Sequence, residues 1–295
     1  MSCEIPWNDQ DRLLENVFRE EIRKTLEVGF RNLYVFGTAG EGYAVDTARF
    51  RQIVDVFYEE TRGPDTFPQV GVIALSVANV IERLEYAYRA GFRIFQISLP
   101  CWGALNDTEL LTFFKDVCGS FPDASFLHYN LPRARRVLTP ADYRRIIDVV
   151  PNLVATKNTG TTVDSTRELI LTTPELQHFL GETMFPIGCV YGECSLLSSF
   201  GVMVPSKTKE FFEHGRTRRF DKVFPMLGEY LTMVWDVLAP TGSADRIDGA
   251  YDKMLVRLGG IAMPLRLLSP YQCFPEEIFE ECRRIFHQKY PDWIG

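Results

Sequence analysis

Short runs rich in β-branched and apolar residues alternate with amphipathic helical patterns along this chain, and that alternation restricts it to folds built on a parallel sheet. Seven runs end at Phe36, Leu75, Leu99, Tyr129, Lys157, Leu180 and Leu197, 17 to 39 residues apart. They predict strands over 32–36, 69–75, 93–99, 125–129, 153–157, 177–180 and 194–197. Between them, Leu13, Leu14, Val17, Phe18, Ile22 and Leu26 recur at helical spacing, and Gly29 closes that helix. Phe50, Ile53, Val54 and Phe57 mark one face of a helix over 47–61. The pattern over 77–90 stops at Gly91, and further helices are expected over 108–118, 140–150, 163–171 and from Thr183. A short run, Cys3–Ile5, precedes the first helix. Eight strands at this spacing suit a (β/α)8 (TIM) barrel. A doubly wound sheet would call for Gly-x-Gly-x-x-Gly after its first strand. Gly37-Thr38-Ala39-Gly40-Glu41-Gly42 follows the second run instead and lacks that spacing. The expected architecture is therefore α/β: a (β/α)8 barrel with a short first strand over 1–219, then a helical extension over 220–295. There, helical patterns at 220–238, 246–258 and 275–288 have no strands between them.

The chain has 295 residues, of which 46% are hydrophobic, enough for a sizeable core. Its formal net charge of −7 argues against nucleic acid and anionic membranes as partners. A small anionic substrate remains compatible, because the field inside a pocket is local. Seven scattered cysteines form no Cys-x-x-Cys pair, and the four histidines do not cluster with them, so no metal site is expected. Free thiols in a reducing cytoplasm are the simplest reading. The N-terminal residues lack a basic region followed by an apolar one, so no signal peptide is read there. No apolar stretch reaches the length that spans a membrane.

Three features at predicted strand ends carry chemistry, since the C-terminal ends of barrel strands form the catalytic face. The run Leu153-Val154-Ala155-Thr156-Lys157 delivers one ammonium at the end of a buried strand. Burial disfavours the charged form and pushes a lysine below its usual pKa of about 10.4. A neutral amine attacks ketones to form a Schiff base. The plain alternative is a lysine marking where the strand meets water. Tyr129 ends the preceding strand, which would bring its phenol near the amine as a proton shuttle; alternatively its ring simply packs. His128 should face the helix layer. Gly37-Thr38-Ala39-Gly40-Glu41 is either an ordinary βα turn or a nest of backbone N–H groups suited to a carboxylate. Together the three describe imine formation with a 2-oxo acid: carboxylate on the nest, ketone carbon on Lys157, proton relay on Tyr129. The protonated imine then acts as an electron sink for aldol cleavage, condensation or dehydration.

These residues resemble the dihydrodipicolinate synthase / N-acetylneuraminate lyase family of class I, Schiff-base aldolases. Gly37-Thr38-Ala39-Gly40-Glu41 is similar to the family's Gly-[Thr/Ser]-Thr-Gly-Glu, and Tyr129-Asn130-Leu131-Pro132 to its Tyr-Asn-x-Pro. Lys157-Asn158-Thr159-Gly160 is similar to the region around its imine lysine. Order and spacing match over about residues 5–270. The resemblance implies a barrel with a helical C-terminal extension, and a homo-oligomer, dimer or tetramer. It implies no cofactor beyond the covalent lysine imine. It carries over Lys157 as the imine lysine, Tyr129 as proton relay and Thr38 as relay hydroxyl, with backbone N–H groups at Ala39 and Gly40 holding the carboxylate.

Departures from the family pattern narrow the reaction. Ala39 replaces a threonine whose hydroxyl helps bind the carboxylate, a hydrogen bond worth about 1.5–3 kcal/mol. Pro100-Cys101-Trp102 stands where the synthases have Pro-Tyr-Tyr, and indole donates but does not relay a proton the same way. Ala134 stands where the synthases hold a second carboxylate with arginine; Arg133 or Arg135 is a candidate substitute. Glu182, in Gly181-Glu182, is either a group supporting the site or an acid favoured at a helix start. Trp102 either lines the pocket or packs under its loop. Pro-x-Trp is similar to the hydratase-aldolases of aromatic 2-oxo acids. The expected activity is thus a carbon–carbon or carbon–oxygen lyase on pyruvate or a larger 2-oxo acid, pointing away from authentic dihydrodipicolinate synthesis. The alternatives are an aromatic hydratase-aldolase, or a non-catalytic ligand-binding barrel.

Overall fold

The computed structural model describes residues 1–243 and 245–294. In chain order its elements are α1 (Glu15–Glu27), β1 (Tyr34–Val35), α2 (Thr47–Thr61), β2 (Gln69–Gly71), α3 (Val77–Ala90), β3 (Ile94–Ile97), α4 (Asp107–Gly119), β4 (Ser125–Asn130) and α5 (Pro140–Ile147). There follow β5 (Leu153–Asn158), α6 (Val163–Thr172), β6 (Gln177–Leu180), α7 (Phe185–Tyr191), β7 (Ser195–Leu196), α8 (Pro205–Arg216), α9 (Phe220–Leu238), α10 (Asp248–Leu258) and α11 (Glu276–Lys289). They form two compact units, Phe67–Leu197 and Met1–Thr66 with Ser198–Gly295.

In the unit Phe67–Leu197, β2 to β7 pair in parallel in chain order. β4 and β5, of six residues each, are the longest and are buried almost throughout, as a parallel strand covered on both faces should be. Helix starts follow local chemistry. Ser76 accepts from the N–H of Asn79 at α3, and capping boxes at Asn106/Glu109 and Thr139/Asp142 open α4 and α5. Gly91 ends α3 at φ 121°, where a side chain would be strained. The strand expected over 69–75 is shorter, ending at Gly71; Val72 beyond it is still buried, but the expected end at Leu75 is 60% exposed.

In the other unit, the expected first strand is reduced to a bridge. Ser2 pairs with Tyr34, Cys3 N–H donates to the Tyr34 carbonyl at 2.9 Å, and Tyr34 N–H donates to the Met1 carbonyl at 2.8 Å. The three helical patterns beyond residue 220 form α9, α10 and α11 with little change of bounds. Val223, Met226, Tyr230, Met233 and Val237 bury one face of α9, and Tyr230, Met233 and Val237 share a core with Met254, Leu258, Phe279 and Phe286. Helix α8 was not anticipated. It starts on Pro205, whose fixed φ suits a first turn, and buries Thr208, Phe211 and Gly215. Its Thr208 hydroxyl meets the Tyr230 hydroxyl at 2.8 Å.

This unit also buries charge. Glu21 is fully enclosed on α1, and its Oε1 accepts from the N–H of Glu4 at 2.8 Å. Burial, then the Glu4 carboxylate, push the Glu21 carboxyl well above the usual range. A raised carboxyl stabilises the fold in its protonated form. That contribution is complete below the unfolded pKa of about 4.3 and is lost as pH rises toward the folded value. Glu21→Gln, which stays neutral, should therefore lose less stability than the parent between about pH 5 and 8. Urea denaturation at the two ends of that range reads the difference, and equal pH slopes would refute it.

Candidate functional site

Strand β5 reaches its candidate residue, Lys157, through an irregularity. Phe126 pairs with Leu153, but Leu127 pairs with Ala155, so the register slips past Val154. Every later pair then shifts by one, and Tyr129 comes opposite Lys157. Without the slip Tyr129 would face Thr156, because side chains alternate along a strand. The Lys157 Nζ lies 4.0 Å from the centroid of the Tyr129 ring, over its face, and the two residues are 6% and 3% exposed. The π face attracts the ammonium form of the amine. His128 sits where alternation puts it: its Nδ1 meets the Tyr143 hydroxyl of α5 at 2.8 Å and its ring meets Phe114 of α4 edge-on at 5.2 Å. Burial lowers its pKa to about 3, so it stays neutral.

The segment after β4 is a single 3₁₀ turn, Pro132–Ala134, followed by Arg135 at φ 63°. Arg135 Nε donates to the Cys101 carbonyl at 3.3 Å, tying this turn to the segment after β3; Arg133 is exposed and Ala134 is buried. Sequence reasoning passed over Arg136. Its guanidinium bonds the Leu105 carbonyl, Asp107 and Asp142 at 2.7–2.8 Å, while Arg145 bonds the same two carboxylates. Hydrogen bonds from Arg145 and Arg136 hold Asp107 down at about 2. The run of arginines at 133, 135 and 136 was the available signal, but only the fold shows which one is the brace. Trp102 stands 87% exposed beyond β3. Gly181 and Glu182 follow β6, both half-buried, where the Gly181 carbonyl accepts from Phe185 N–H at 2.9 Å to open α7.

The glycine-rich turn lies in the unit containing the termini. Phe36 adopts φ 67° although bulky and fully buried, and Glu41 adopts φ 54°. Such conformations cost on the order of 1–3 kcal/mol and persist only where the surroundings impose them. Here the Phe36 ring stacks on Phe50 at 4.9 Å, and Glu41 is anchored from three sides. Glu41 accepts from Trp7 Nε1 at 2.8 Å, Lys253 Nζ at 2.7 Å and Leu268 N–H at 2.7 Å. The turn is closed by Glu41 N–H to the Thr38 carbonyl and Gly42 N–H to the Gly37 carbonyl. Those bonds use neither the N–H of Ala39 nor that of Gly40, the donors expected to hold a carboxylate. Thr38 and Ala39 are 5% and 9% exposed. Sequence reasoning also missed Gly249 of α10: a Cβ there would come within 2.8 Å of the Ala39 carbonyl.

The turn folds back on Phe36 so closely that a Cβ on Gly42 would lie 2.5 Å from the Phe36 carbonyl oxygen. Backbone does not yield cheaply, so Gly42→Ala is expected to cost about 1–3 kcal/mol. Chemical denaturation measures this, and a variant as stable as the parent would show that the turn relaxes freely.

A profile of the Dihydrodipicolinate synthetase family matches residues 2–288. Among curated proteins, the chain is 27% identical over 173 residues to a 4-hydroxy-tetrahydrodipicolinate synthase of Sulfurimonas denitrificans, covering 58% of each protein. It therefore spans a little over half the length of that relative. It is 22% identical over 201 residues to an N-acetylneuraminate lyase of Citrobacter koseri, covering 67% of each. Among solved structures, YagE of E. coli K12, a member of the dihydrodipicolinic acid synthase family in complex with pyruvate, superposes with a TM-score of 0.85. The identity is 18%, over 97% of this chain and 96% of that one. At such identity the likeness establishes the fold, the (β/α)8 barrel with C-terminal helices that the strand spacing predicted.

Proposed function

We propose, since this chain belongs to the dihydrodipicolinate synthetase family, that it is a Schiff-base-forming lyase, aldolase or hydro-lyase, acting on pyruvate or a larger 2-oxo acid. One observation carries the reading: a lysine amine 4.0 Å over a tyrosine ring, both nearly inaccessible, at the ends of the two longest parallel strands. In this scheme the neutral Lys157 amine adds to the ketone carbon and the carbinolamine loses water. The resulting iminium accepts the electron pair released when a carbon–carbon bond breaks, or when a proton leaves the neighbouring carbon. Tyr129 and Thr38 relay the protons, and the N–H groups of Ala39 and Gly40 bind the carboxylate. Arg133, Arg135, Trp102, Gly181 and Glu182 are assigned to the remainder of the substrate. No cofactor is required beyond the covalent imine. A cytoplasmic homo-oligomer, dimer or tetramer, belongs to the same proposal, and sedimentation reads its size. Among the described residues no helix is long and apolar enough to cross a membrane.

YagE was solved with pyruvate, which makes pyruvate the first 2-oxo acid to test. Borohydride reduction in its presence should leave a reduced pyruvyl adduct on the peptide bearing Lys157. Absence of an adduct with pyruvate and with every longer 2-oxo acid tried would defeat the reading and favour a non-catalytic, ligand-binding protein. The exposed indole of Trp102 favours one narrower alternative, a hydratase-aldolase of aromatic 2-oxo acids, because a flat apolar ring suits an aryl group better than a second carboxylate. Screening for aryl aldehyde release against water loss separates the two.

A further inference from the structure

We infer that a buried hydrogen-bond chain behind β4, β5 and β6, running His178–Thr156–Asn158–Asn130, sets the position of the Lys157 amine, with Thr156 and His178 as positioning residues. As a statement about catalysis this rests on the Schiff-base reading above.

Thr156 and Asn158 flank Lys157 in sequence, and Asn130 follows Tyr129. All three are buried, at 0%, 2% and 3% exposure, as is His178 at 1%. Polar groups in such a place cost free energy unless each is bonded, and apolar side chains would pack there without that cost. Each is bonded. Asn130 Nδ2 donates to the Leu138 carbonyl at 2.9 Å and to Asn158 Oδ1 at 3.1 Å, and its Oδ1 accepts from Leu138 N–H at 2.8 Å. Asn158 Nδ2 donates to Thr156 Oγ1 at 2.7 Å. The Thr156 hydroxyl proton is then left for His178 Nδ1, also at 2.7 Å. His178 Nε2 closes the chain on Thr173, 3.1 Å from its carbonyl and 3.2 Å from its hydroxyl, which itself donates to the Leu169 carbonyl at 2.8 Å.

That donor order satisfies every group with a neutral imidazole carrying its proton on Nε2. Burial disfavours the charged imidazole and so maintains the same form. The chain ends on backbone at both sides, the segment after β4 and the end of α6. Three adjacent strands are thereby fixed from behind, at the level where their other faces present Tyr129 and Lys157. A displacement on the order of 1 Å at a reacting group can cost about 100-fold in rate.

Thr156→Val keeps the shape and removes the hydroxyl, whereas Thr156→Ser keeps the hydroxyl. The valine variant should lower kcat about 10- to 100-fold with KM for the 2-oxo acid within about threefold, and the serine variant should restore most of it. A second readout needs no substrate: the rate at which reductive methylation labels Lys157, measured by mass spectrometry against the exposed Lys115. It should change at least about threefold in Thr156→Val, return in Thr156→Ser, and leave Lys115 unaltered. His178→Gln is held to the same criteria should Thr156→Val fail to fold. Unaltered Lys157 labelling together with unaltered kcat would overturn the proposal. If the parent forms no pyruvate adduct, the Schiff-base reading fails, and the labelling comparison still decides whether the chain positions the amine.

Discussion

Lys157→Met should remain folded, form no pyruvate adduct, and lose turnover by at least about a thousandfold, equivalent to about 4 kcal/mol of transition-state stabilisation. Methionine keeps most of the lysine stem, so the packing beside Tyr129 survives while the nucleophile is gone. Lys157→Arg makes the sharper comparison. It keeps a cation over the tyrosine ring, but a guanidinium stays protonated in proteins and does not attack a ketone. If the amine's role were electrostatic, arginine would retain much of the activity. On the Schiff-base reading both variants are equally inactive. The measurements are steady-state turnover on whichever 2-oxo acid gives an adduct, borohydride trapping, and thermal denaturation to show that the fold is intact. Arginine activity above roughly a tenth of the parent's, a loss under 1.4 kcal/mol, would remove covalent catalysis from the scheme.

Lys253→Met should be the most destabilising single change, at about 3–5 kcal/mol. Lys253 and Glu41 are each fully enclosed, 2.7 Å apart, and Lys253 also donates to the Arg266 carbonyl at 2.5 Å. Desolvation lowers the affinity of the buried lysine for its proton, and the Glu41 charge opposes that. Removing the lysine strands a carboxylate that keeps the N–H donors of Trp7 and Leu268. In a chain of this size such a loss lowers the melting temperature by on the order of 10 °C. The paired replacement Glu41→Leu with Lys253→Met should recover part of it, since neither charge is then buried alone. If the single and paired variants melt alike, the carboxylate does not cause the loss. Because Glu41 closes the Gly37–Gly42 turn, the single variant should also weaken whatever carboxylate binding that turn provides.

Much of this fold was readable because the responsible interactions are local. Helix α3 has the bounds read from its pattern, 77–90, since Ser76 caps its start and Gly91 its end within one turn of chain. The β4 and β5 runs were placed to within one residue by their β-branched and apolar content. Lys157 and Tyr129 could be singled out as neighbours because consecutive βα units place consecutive strands side by side. Helix α8 escaped because few apolar positions mark it: Thr208 and Gly215 share its buried face with Phe211.

The one-residue slip at Val154 left no local mark, yet it sets Tyr129 opposite Lys157. Nor did Glu41 announce a partner 212 residues away, or Thr156 a histidine on the next strand. The amino-acid sequence by itself determined the order of strands and helices and which side chains are candidates for the chemistry, because periodicity, capping and side-chain chemistry act over a few residues. The tertiary structure alone decided which buried polar groups meet, and in what register. Those choices depend on the partners that distant segments bring into a buried interior, where an unpaired charge or hydroxyl is costly.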